Sequence, residues 1–179
     1  MKRQDVEKIQ AEARKYFEKA NIVLTDEESA DIEVADFGLD DIYNTGLEIV
    51  TYVNTERVCA KELVLLPNQT CPEHIHPPLA DKNYAGKEET FRVRYGTVYF
   101  YTEGGPAKNP GTNPPAGVYT VFNEVMLKPG MQYTLKPNTR HWFKAGAEGA
   151  VVSEFSTPSY DEADIFTDPA IARIPTIED

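Results

Sequence analysis

The sequence contains little cysteine and no long apolar run. Its two cysteines, Cys59 and Cys71, are too few for the disulfide framework on which small secreted proteins depend. No run of about 18 apolar residues is present, so no transmembrane helix is predicted. The first residues, Met1-Lys2-Arg3-Gln4-Asp5, lack the apolar stretch of a secretory signal peptide. Together these absences predict a protein of the reducing cytoplasm.

Basic residues are also scarce, because 18 Lys and Arg against 29 Asp and Glu give a formal net charge of −11. This negative charge argues against nucleic acids and anionic membranes as partners. It also disfavours a pocket dedicated to highly phosphorylated substrates, although a local basic patch remains compatible with it. The simplest alternative is that the charge only keeps the protein in solution.

The remaining composition and periodicity predict one mainly β domain. Apolar residues recur at three- and four-residue steps over residues 3–20, which predicts an amphipathic helix, and Thr25 and Glu28 are spaced as the capping box of a short second helix. Short strand-like runs separated by Gly and Pro are typical of a double-sheet jelly roll. We predict a helical extension (1–46), a β-barrel (47–156) and a tail (157–179) packed over the barrel. The predicted strands are 47–53, 59–66, 70–76, 89–95, 97–102, 119–127, 131–135, 141–145 and 150–155.

Histidine is scarce as well, and two of the three histidines are one residue apart. His74 and His76 end a strand-like run, and side chains two positions apart on a strand point to the same face. Two imidazoles on one face can bind one metal ion, and the third histidine, His141, lies on another strand-like segment. The spacing alone is a weak indication, because a pair of surface or hydrogen-bonded histidines has the same pattern.

The register of the next strand adds a carboxylate to the three histidines. If Glu89 faces inward, Tyr95 and the apolar residues between them face inward with it. If Glu88 faced inward instead, Arg92 and Arg94 would be buried. The pattern therefore selects Glu89. Three imidazoles and one carboxylate suit a borderline or hard divalent ion such as Mn²⁺, Fe²⁺, Co²⁺, Ni²⁺ or Zn²⁺.

These residues resemble the two motifs of the cupin superfamily. Glu89 and Gly96 keep the six-residue interval of the first motif, and Gly130 and His141 keep the overall spacing of the second. The sequence departs from the cupin pattern in residues 77–88, because about a dozen residues separate the histidine pair from Glu89 where cupins have three or four. We expect this insertion at the mouth of the site.

Further polar groups are needed for chemistry beside a metal ion. Glu154 shares a strand face with apolar residues, and the run alone favours a solvated carboxylate over one in a cavity. Lys61 also shares its strand face with apolar residues, while Glu62 occupies the opposite face, so one of these two charges must tolerate an apolar surrounding. Lys87 precedes Glu89 by two residues, and its simplest alternative is an ordinary surface lysine.

A closer resemblance extends over nearly the whole chain. The segments that carry it are Asp36-Phe37-Gly38-Leu39, Tyr52-Val53-Asn54-Thr55, Lys61-Glu62-Leu63-Val64-Leu65, Cys71-Pro72-Glu73-His74-Ile75-His76-Pro77-Pro78, Glu89-Thr90-Phe91-Arg92-Val93-Arg94 and Val152-Ser153-Glu154-Phe155-Ser156. They resemble the cupin-type D-lyxose isomerase family. The resemblance implies a manganese-dependent interconversion of D-lyxose and D-xylulose, with weaker activity on D-mannose and D-fructose, and other divalent metals remain alternatives.

The resemblance also assigns roles to residues. The implied metal ligands are His74, His76, Glu89 and His141. The implied catalytic residues are Glu154, which moves a proton between C2 and C1, and Lys61, while Lys87 would bind the sugar. In the tail, Asp164 is a further candidate for bonding a sugar hydroxyl.

Two other classes of function stay open at this point. The first is another cupin enzyme, either a sugar-phosphate isomerase, which would need an inward cluster of arginines, or an iron dioxygenase. The second is a non-catalytic sugar-binding cupin, in which no base would lie near the metal, so the orientation of Glu154 discriminates between binding and catalysis. An apolar outer sheet also predicts a homodimer.

Overall fold

The structure is a computed structural model that describes residues 1–174 and 176–178, and most of its regular elements are strands. The first helix confirms the prediction for residues 3–20, and the second follows a capping box between Thr25 and Glu28. Over the described residues, no helix combines the length and the apolar character needed to cross a membrane. The elements are α1 (Arg3–Lys19), α2 (Asp26–Ala30), β1 (Glu33–Ala35), β2 (Leu47–Asn54), β3 (Cys59–Leu65), β4 (Thr70–Ile75), β5 (Glu89–Thr102), β6 (Asn123–Leu127), β7 (Gln132–Leu135), β8 (His141–Ser156) and β9 (Ile165–Phe166), with short 3₁₀ turns at Ala80–Lys82 and Asp161–Ala163.

Strand β8 lies at the centre of the antiparallel sheet. Its first half pairs with β4 and with the end of β5, and its second half pairs with β3 and with the beginning of β5. β2 and β1 continue the sheet beyond β3, while β6 and β7 pair with the other edge of β5. Because β8 is paired on both sides along its length, the sheet curls around an interior. The predicted jelly roll is confirmed.

Gly96 and Gly149 lie inside strands rather than between them. The four runs predicted around Gly96 and Gly149 form only two long strands, β5 and β8. Both glycines have positive φ, 73° and 75°, and a β-carbon on Gly96 would lie 1.9 Å from the carbonyl oxygen of Gly149. Glycine therefore allows a bend at the point where the two strands approach most closely.

Two local predictions were wrong. The register between β5 and β8 shifts between Val93 and Tyr95, so Tyr95 leaves the inward face and packs against Tyr16 of α1, with ring centroids 6.1 Å apart. A bulge of this kind reverses the alternation of side chains. The strand predicted from residue 119 begins only at Asn123, because the amides of Thr120 and Val121 donate to the side-chain carboxylate of Glu73 rather than to a strand backbone.

Apolar side chains form two clusters on opposite faces of the sheet. The interior cluster fills the barrel, and its members include Leu63 and Leu65 of β3. The second cluster, called here the outer layer, packs α1 against the outside of the sheet and includes Val64 between them. The apolar face predicted for the helix over residues 3–20 is buried in this outer layer. The outer layer consists of Val6, Ile9, Ala13, Tyr16, Phe17, Ile32, Val34, Val50, Val64, Leu66 and Val151.

The chain after the barrel crosses its open end. Residues 157–174, called here the strap, include β9, which pairs with β4. Residues 77–88, called here the mouth loop, meet the strap where the hydroxyl of Tyr84 donates to the carbonyl of Pro158 at 2.8 Å. The strap and the mouth loop together enclose one end of the barrel interior. The mouth loop is the insertion that the sequence analysis expected at this position.

Candidate metal centre and active site

Three histidines meet inside the barrel. His74 on β4 lies opposite His141 on β8 in the strand ladder, and His76 follows the last residue of β4. Their ligand nitrogens lie within 4.8 Å of one another, and all three residues are buried. The structure therefore brings the histidine pair and the third histidine into one cluster that could hold a metal ion.

The imidazoles are turned so that one nitrogen of each ring is already occupied. The Nδ1 atoms of His74 and His141 bond backbone carbonyls two residues earlier in the chain, at 2.8 and 2.9 Å. The Nδ1 atom of His76 bonds Oδ1 of Asp164 at 2.5 Å. In a neutral imidazole, an Nδ1 that donates leaves Nε2 unprotonated, and an unprotonated nitrogen is what a metal ion requires.

Glu89 completes the cluster from the first position of β5. Its Oε1 lies 3.2 Å from Nε2 of both His76 and His141. Nevertheless, Glu89 Oε1 and His141 Nε2 are buried atoms that have no hydrogen-bond partner among the residues that the structure describes. Buried polar atoms are almost always paired, so two unpaired atoms that face each other indicate a missing third partner. Three imidazoles and one carboxylate fit a divalent cation at this point.

The electrostatics favour metal-binding protonation states at His74 and Glu89, whereas His76 holds a proton more tightly than an ordinary histidine. Burial, followed by the neighbouring imidazoles, holds the pKa of His74 well below its ordinary value, so this ring is neutral. Burial alone would raise the pKa of Glu89, but Lys87 and His76 outweigh it and hold this pKa well below its ordinary value. Burial lowers the pKa of His76, whereas Glu89 and Asp164 raise it to about 9. A bound cation would replace the proton on His76.

Two residues that the local sequence pattern alone favoured at the surface lie in the interior instead. Glu154 and Lys87 are each 4% exposed, and Lys87 Nζ contacts both Glu89 Oε2, at 3.0 Å, and Glu154 Oε1. The solvated reading of Glu154 and the surface reading of Lys87 were wrong. Although burial lowers the pKa of Lys87, Glu154 and Glu89 raise it well above its ordinary value. The ammonium group of Lys87 lies against both buried carboxylates, so opposite charge replaces part of the stabilisation that water would give to these groups.

Lys61 joins a second ionic group at the strap. Its Nζ donates to Asp161 Oδ2 at 2.7 Å and to Ser159 Oγ at 3.1 Å. Arg173 donates to the same Asp161 oxygen at 2.9 Å and to Glu33 Oε1 at 2.5 Å. Burial raises the pKa of Asp161, but Lys61 and Arg173 overcome this and hold it well below its ordinary value. The strap is therefore tied to the barrel by paired charges.

These groups line one cavity of about 40 Å³. The polar lining includes the histidines together with Lys61, Lys87 and Glu154. The rest of the lining is largely apolar. Such a mixed lining suits a small molecule that carries both hydroxyl groups and carbon-bound hydrogens. The apolar lining consists of Phe37, Leu47, Ile49, Leu63, Cys71, Phe91, Phe143 and Phe166.

Sequence comparison connects this site to named proteins. The D-lyxose/D-mannose isomerase of Thermosediminibacter oceani is 59% identical to the chain, over 100% of the chain and 99% of the relative. The D-lyxose ketol-isomerases of Thermofilum sp. (55% identity, 96% of each chain) and Cohnella laeviribosi (56%, 90% of each) are similarly close. The chain belongs to the D-lyxose isomerase family. No protein-family model matches the chain.

The fold of this D-lyxose isomerase family member is shared with more distant sugar isomerases. The L-ribose isomerase of Cellulomonas parahominis, solved with L-ribose, has a TM-score of 0.76 at 19% identity, over 99% of this chain and 98% of that chain. The L-ribose isomerase of Acinetobacter sp. DL28 gives the same TM-score at 16% identity and the same coverage. At such low identity the comparison shows the shared fold alone.

In this D-lyxose isomerase family member, the strap supplies residues that the sequence analysis missed. Asp161 and Arg173 line the cavity, and neither was selected. One signal was available, because Arg173 is the only basic residue in the acidic segment after residue 156. Asp164 also lines the cavity, but its contact with His76 differs from the sugar contact predicted for it.

Proposed function

We propose that this protein is a metal-dependent aldose–ketose isomerase that interconverts D-lyxose and D-xylulose, with weaker activity on D-mannose and D-fructose. The names of its relatives support this substrate class. The observation that carries the reaction is the position of Glu154, a buried carboxylate in the cavity that lies outside the set of four metal donors.

In this proposal His74, His76, Glu89 and His141 hold the cation. Mn²⁺ is the first choice, with Co²⁺, Ni²⁺, Fe²⁺ and Zn²⁺ as alternatives for the same nitrogen and oxygen donors. When bound, the cation supplies Lewis acidity that polarises a carbonyl and stabilises negative charge on an enediolate. The buried, unpartnered oxygen of Glu89 and nitrogen of His141 support this assignment.

Glu154 acts as the general base and then as the acid. It takes the proton from C2 of the open-chain aldose and returns it to C1, while the hydroxyl proton passes from O2 to O1. Lys87 and Lys61 donate hydrogen bonds to sugar oxygens and stabilise the developing charge. Lys87 already contacts Glu154, so it also places the carboxylate beside the substrate.

Two alternatives are less well supported by the site. A sugar phosphate would need unpaired cations in the cavity, but Lys61, Lys87 and Arg173 each contact a carboxylate. A non-catalytic sugar-binding cupin would not need a second buried carboxylate, and Glu154 provides one. The arginines expected to face outward, at positions 92 and 94, are partly or fully exposed and do not line the cavity.

We further propose that the chain is one cupin domain, works in the cytoplasm and forms a homodimer. Val53 lies opposite Ala60, and Ala60 lies opposite Phe155, so these side chains share one outward face of the sheet. Val53 is 38% exposed and Phe155 is 51% exposed. A second copy of the chain would cover this row, and sedimentation of the wild type and of Phe155→Glu tests the assembly. A wild-type protein that sediments as a monomer would contradict it.

The decisive test is a ketose assay on unphosphorylated pentoses and hexoses, with matched sugar phosphates and with metal-stripped protein as the control. We expect D-lyxose to give the highest kcat/KM, D-mannose a lower value and the phosphates poor turnover. Stripping the metal should abolish the activity, and Mn²⁺ should restore it best. A clear preference for a sugar phosphate, or full activity without metal, would overturn the proposal.

A further inference from the structure

The three imidazoles of the proposed metal centre are not held in the same way. His74 and His141 are oriented by backbone carbonyls within their own strand segments, only two residues away. His76 is oriented by the carboxylate of Asp164, which lies 88 positions later in the chain. The first two orientations therefore form with the barrel, whereas the third requires the strap to be in place.

Contacts on both sides of Asp164 fix the strap on the barrel. On the N-terminal side, Asp161 accepts a hydrogen bond from Lys61. On the C-terminal side, the amide of Thr167 donates to the carbonyl of Glu73 at 3.0 Å, and its hydroxyl donates to the Glu73 carboxylate at 2.6 Å. Asp164 sits between these anchors, at the junction of the 3₁₀ turn and β9. Its position is thus set by tertiary contacts.

We infer that Asp164 is a positioning residue for the metal centre, through which the docked strap prepares His76 to bind the cation. The carboxylate accepts the Nδ1 proton of His76, and this contact turns Nε2 toward Glu89, where a cation can bind it. Because coupling between two events is reciprocal, cation binding must stabilise the docked strap by the same free energy. This inference rests on the proposed metal centre and adds a link between that centre and the strap.

The first experiment is a calorimetric titration with Mn²⁺ alone, without sugar. Asp164→Ala should lower the Mn²⁺ affinity by about 10- to 100-fold, the usual effect of removing a partner that orients a ligand. Asp164→Asn should recover most of the affinity, because the amide oxygen still accepts the Nδ1 proton. Glu162→Ala is the matched control, since it removes an exposed carboxylate from the same turn and should change nothing.

The second experiment measures hydrogen exchange of the strap amides in the wild-type protein with and without Mn²⁺. We expect the cation to slow exchange at the Thr167 amide and its neighbours, and Asp164→Ala to remove this protection. The comparison of the wild type with and without Mn²⁺ does not depend on a variant that folds. A purely structural role for Asp164 would lower thermal stability but leave the Mn²⁺ affinity and the coupled protection unchanged.

The outcomes separate the two levels of the hypothesis. If the wild type binds no divalent cation, the proposed metal centre fails and this inference fails with it. If the wild type binds Mn²⁺ but Asp164→Ala binds it equally well, only the inference is overturned. The same conclusion follows if Mn²⁺ binds and strap exchange does not change.

Discussion

Lys61 and Glu62 are neighbours on β3 that point to opposite faces of the sheet, and both are buried. In the cavity, the charge of Lys61 meets the charge of Asp161. On the outer face, the neutral hydroxyl of Ser153 donates its one proton to the carboxylate of Glu62, with Oγ 2.8 and 2.9 Å from the two carboxylate oxygens. Burial raises the pKa of Glu62. The cavity therefore pairs a buried charge with an opposite charge, whereas the outer face gives a buried carboxylate only a neutral partner.

Glu48 repeats this pattern on the outer face. It is fully buried, its Oε1 accepts from the amide of Gln69 at 2.9 Å, and its Oε2 has no partner. Burial raises the pKa of Glu48 to about 8. In the cavity, by contrast, the pKa of Glu89 is held low by cationic neighbours. Burial alone therefore does not mark a functional carboxylate, and an opposite charge beside it is the better sign.

The largest effect should come from the histidine cluster. His141→Ala removes one of the proposed donors and should abolish both Mn²⁺ binding and isomerase activity, because the remaining donors no longer close the site. Glu62→Gln, on the opposite face of the sheet, is the control and should keep both. Metal content by mass spectrometry and ketose formation provide the measurements. An active His141→Ala protein would exclude it as a necessary ligand.

The next effect concerns Glu154. Glu154→Gln keeps the shape but cannot accept a proton, so kcat should fall by roughly two to four orders of magnitude. Metal content should stay nearly unchanged, because Glu154 is not a proposed ligand. Deuterium at C2 of D-lyxose should exchange with solvent in the wild type and be retained in the variant. Near-normal turnover would remove Glu154 from the mechanism and direct attention to Lys61 and Lys87.

A smaller effect should appear in the pH dependence of stability. Glu48 binds its proton more tightly in the folded state, so its contribution is complete below pH 4.5 and is lost as the pH rises to about 8. Relative to Glu48→Gln, the wild type should lose on the order of a few kcal/mol of unfolding free energy across this window. Urea unfolding at about pH 5, about pH 6.5 and about pH 8 measures this loss of unfolding free energy. The exposed Glu7→Gln is the control, and parallel curves for wild type and Glu48→Gln would refute the argument.

The smallest effect should arise far from the cavity, at the start of α2. Thr25 accepts a hydrogen bond from the amide of Glu28 at 3.1 Å. Thr25→Ala should cost about 1 kcal/mol of unfolding free energy, while Thr25→Ser should restore it. Denaturant unfolding together with the ketose assay checks both parts. A loss of activity without a loss of stability would mean that this helix is connected to the site in an unexpected way.

Strand alternation allowed part of the site to be predicted from sequence. It identified Glu89 as the inward carboxylate, because the opposite register would have buried two arginines. It was wrong for Tyr95, where a bulge reverses the alternation, and for Glu154, where a single strand does not reveal which face meets the cavity. The resemblance to known isomerases, rather than the local pattern, had placed Glu154 in the site.

The sequence by itself determined the elements whose signals are local. The apolar periodicity predicted α1, and the capping box predicted α2. The two-residue step between His74 and His76 predicted that their side chains share one face. The tertiary structure alone decided which distant charges meet, since Asp161 and Asp164 reach Lys61 and His76 only when the strap crosses the barrel. Such contacts between residues far apart in the chain leave no periodic signal. Their energy comes from opposite charge that outweighs the cost of burial, and both terms exist only after the chain has folded.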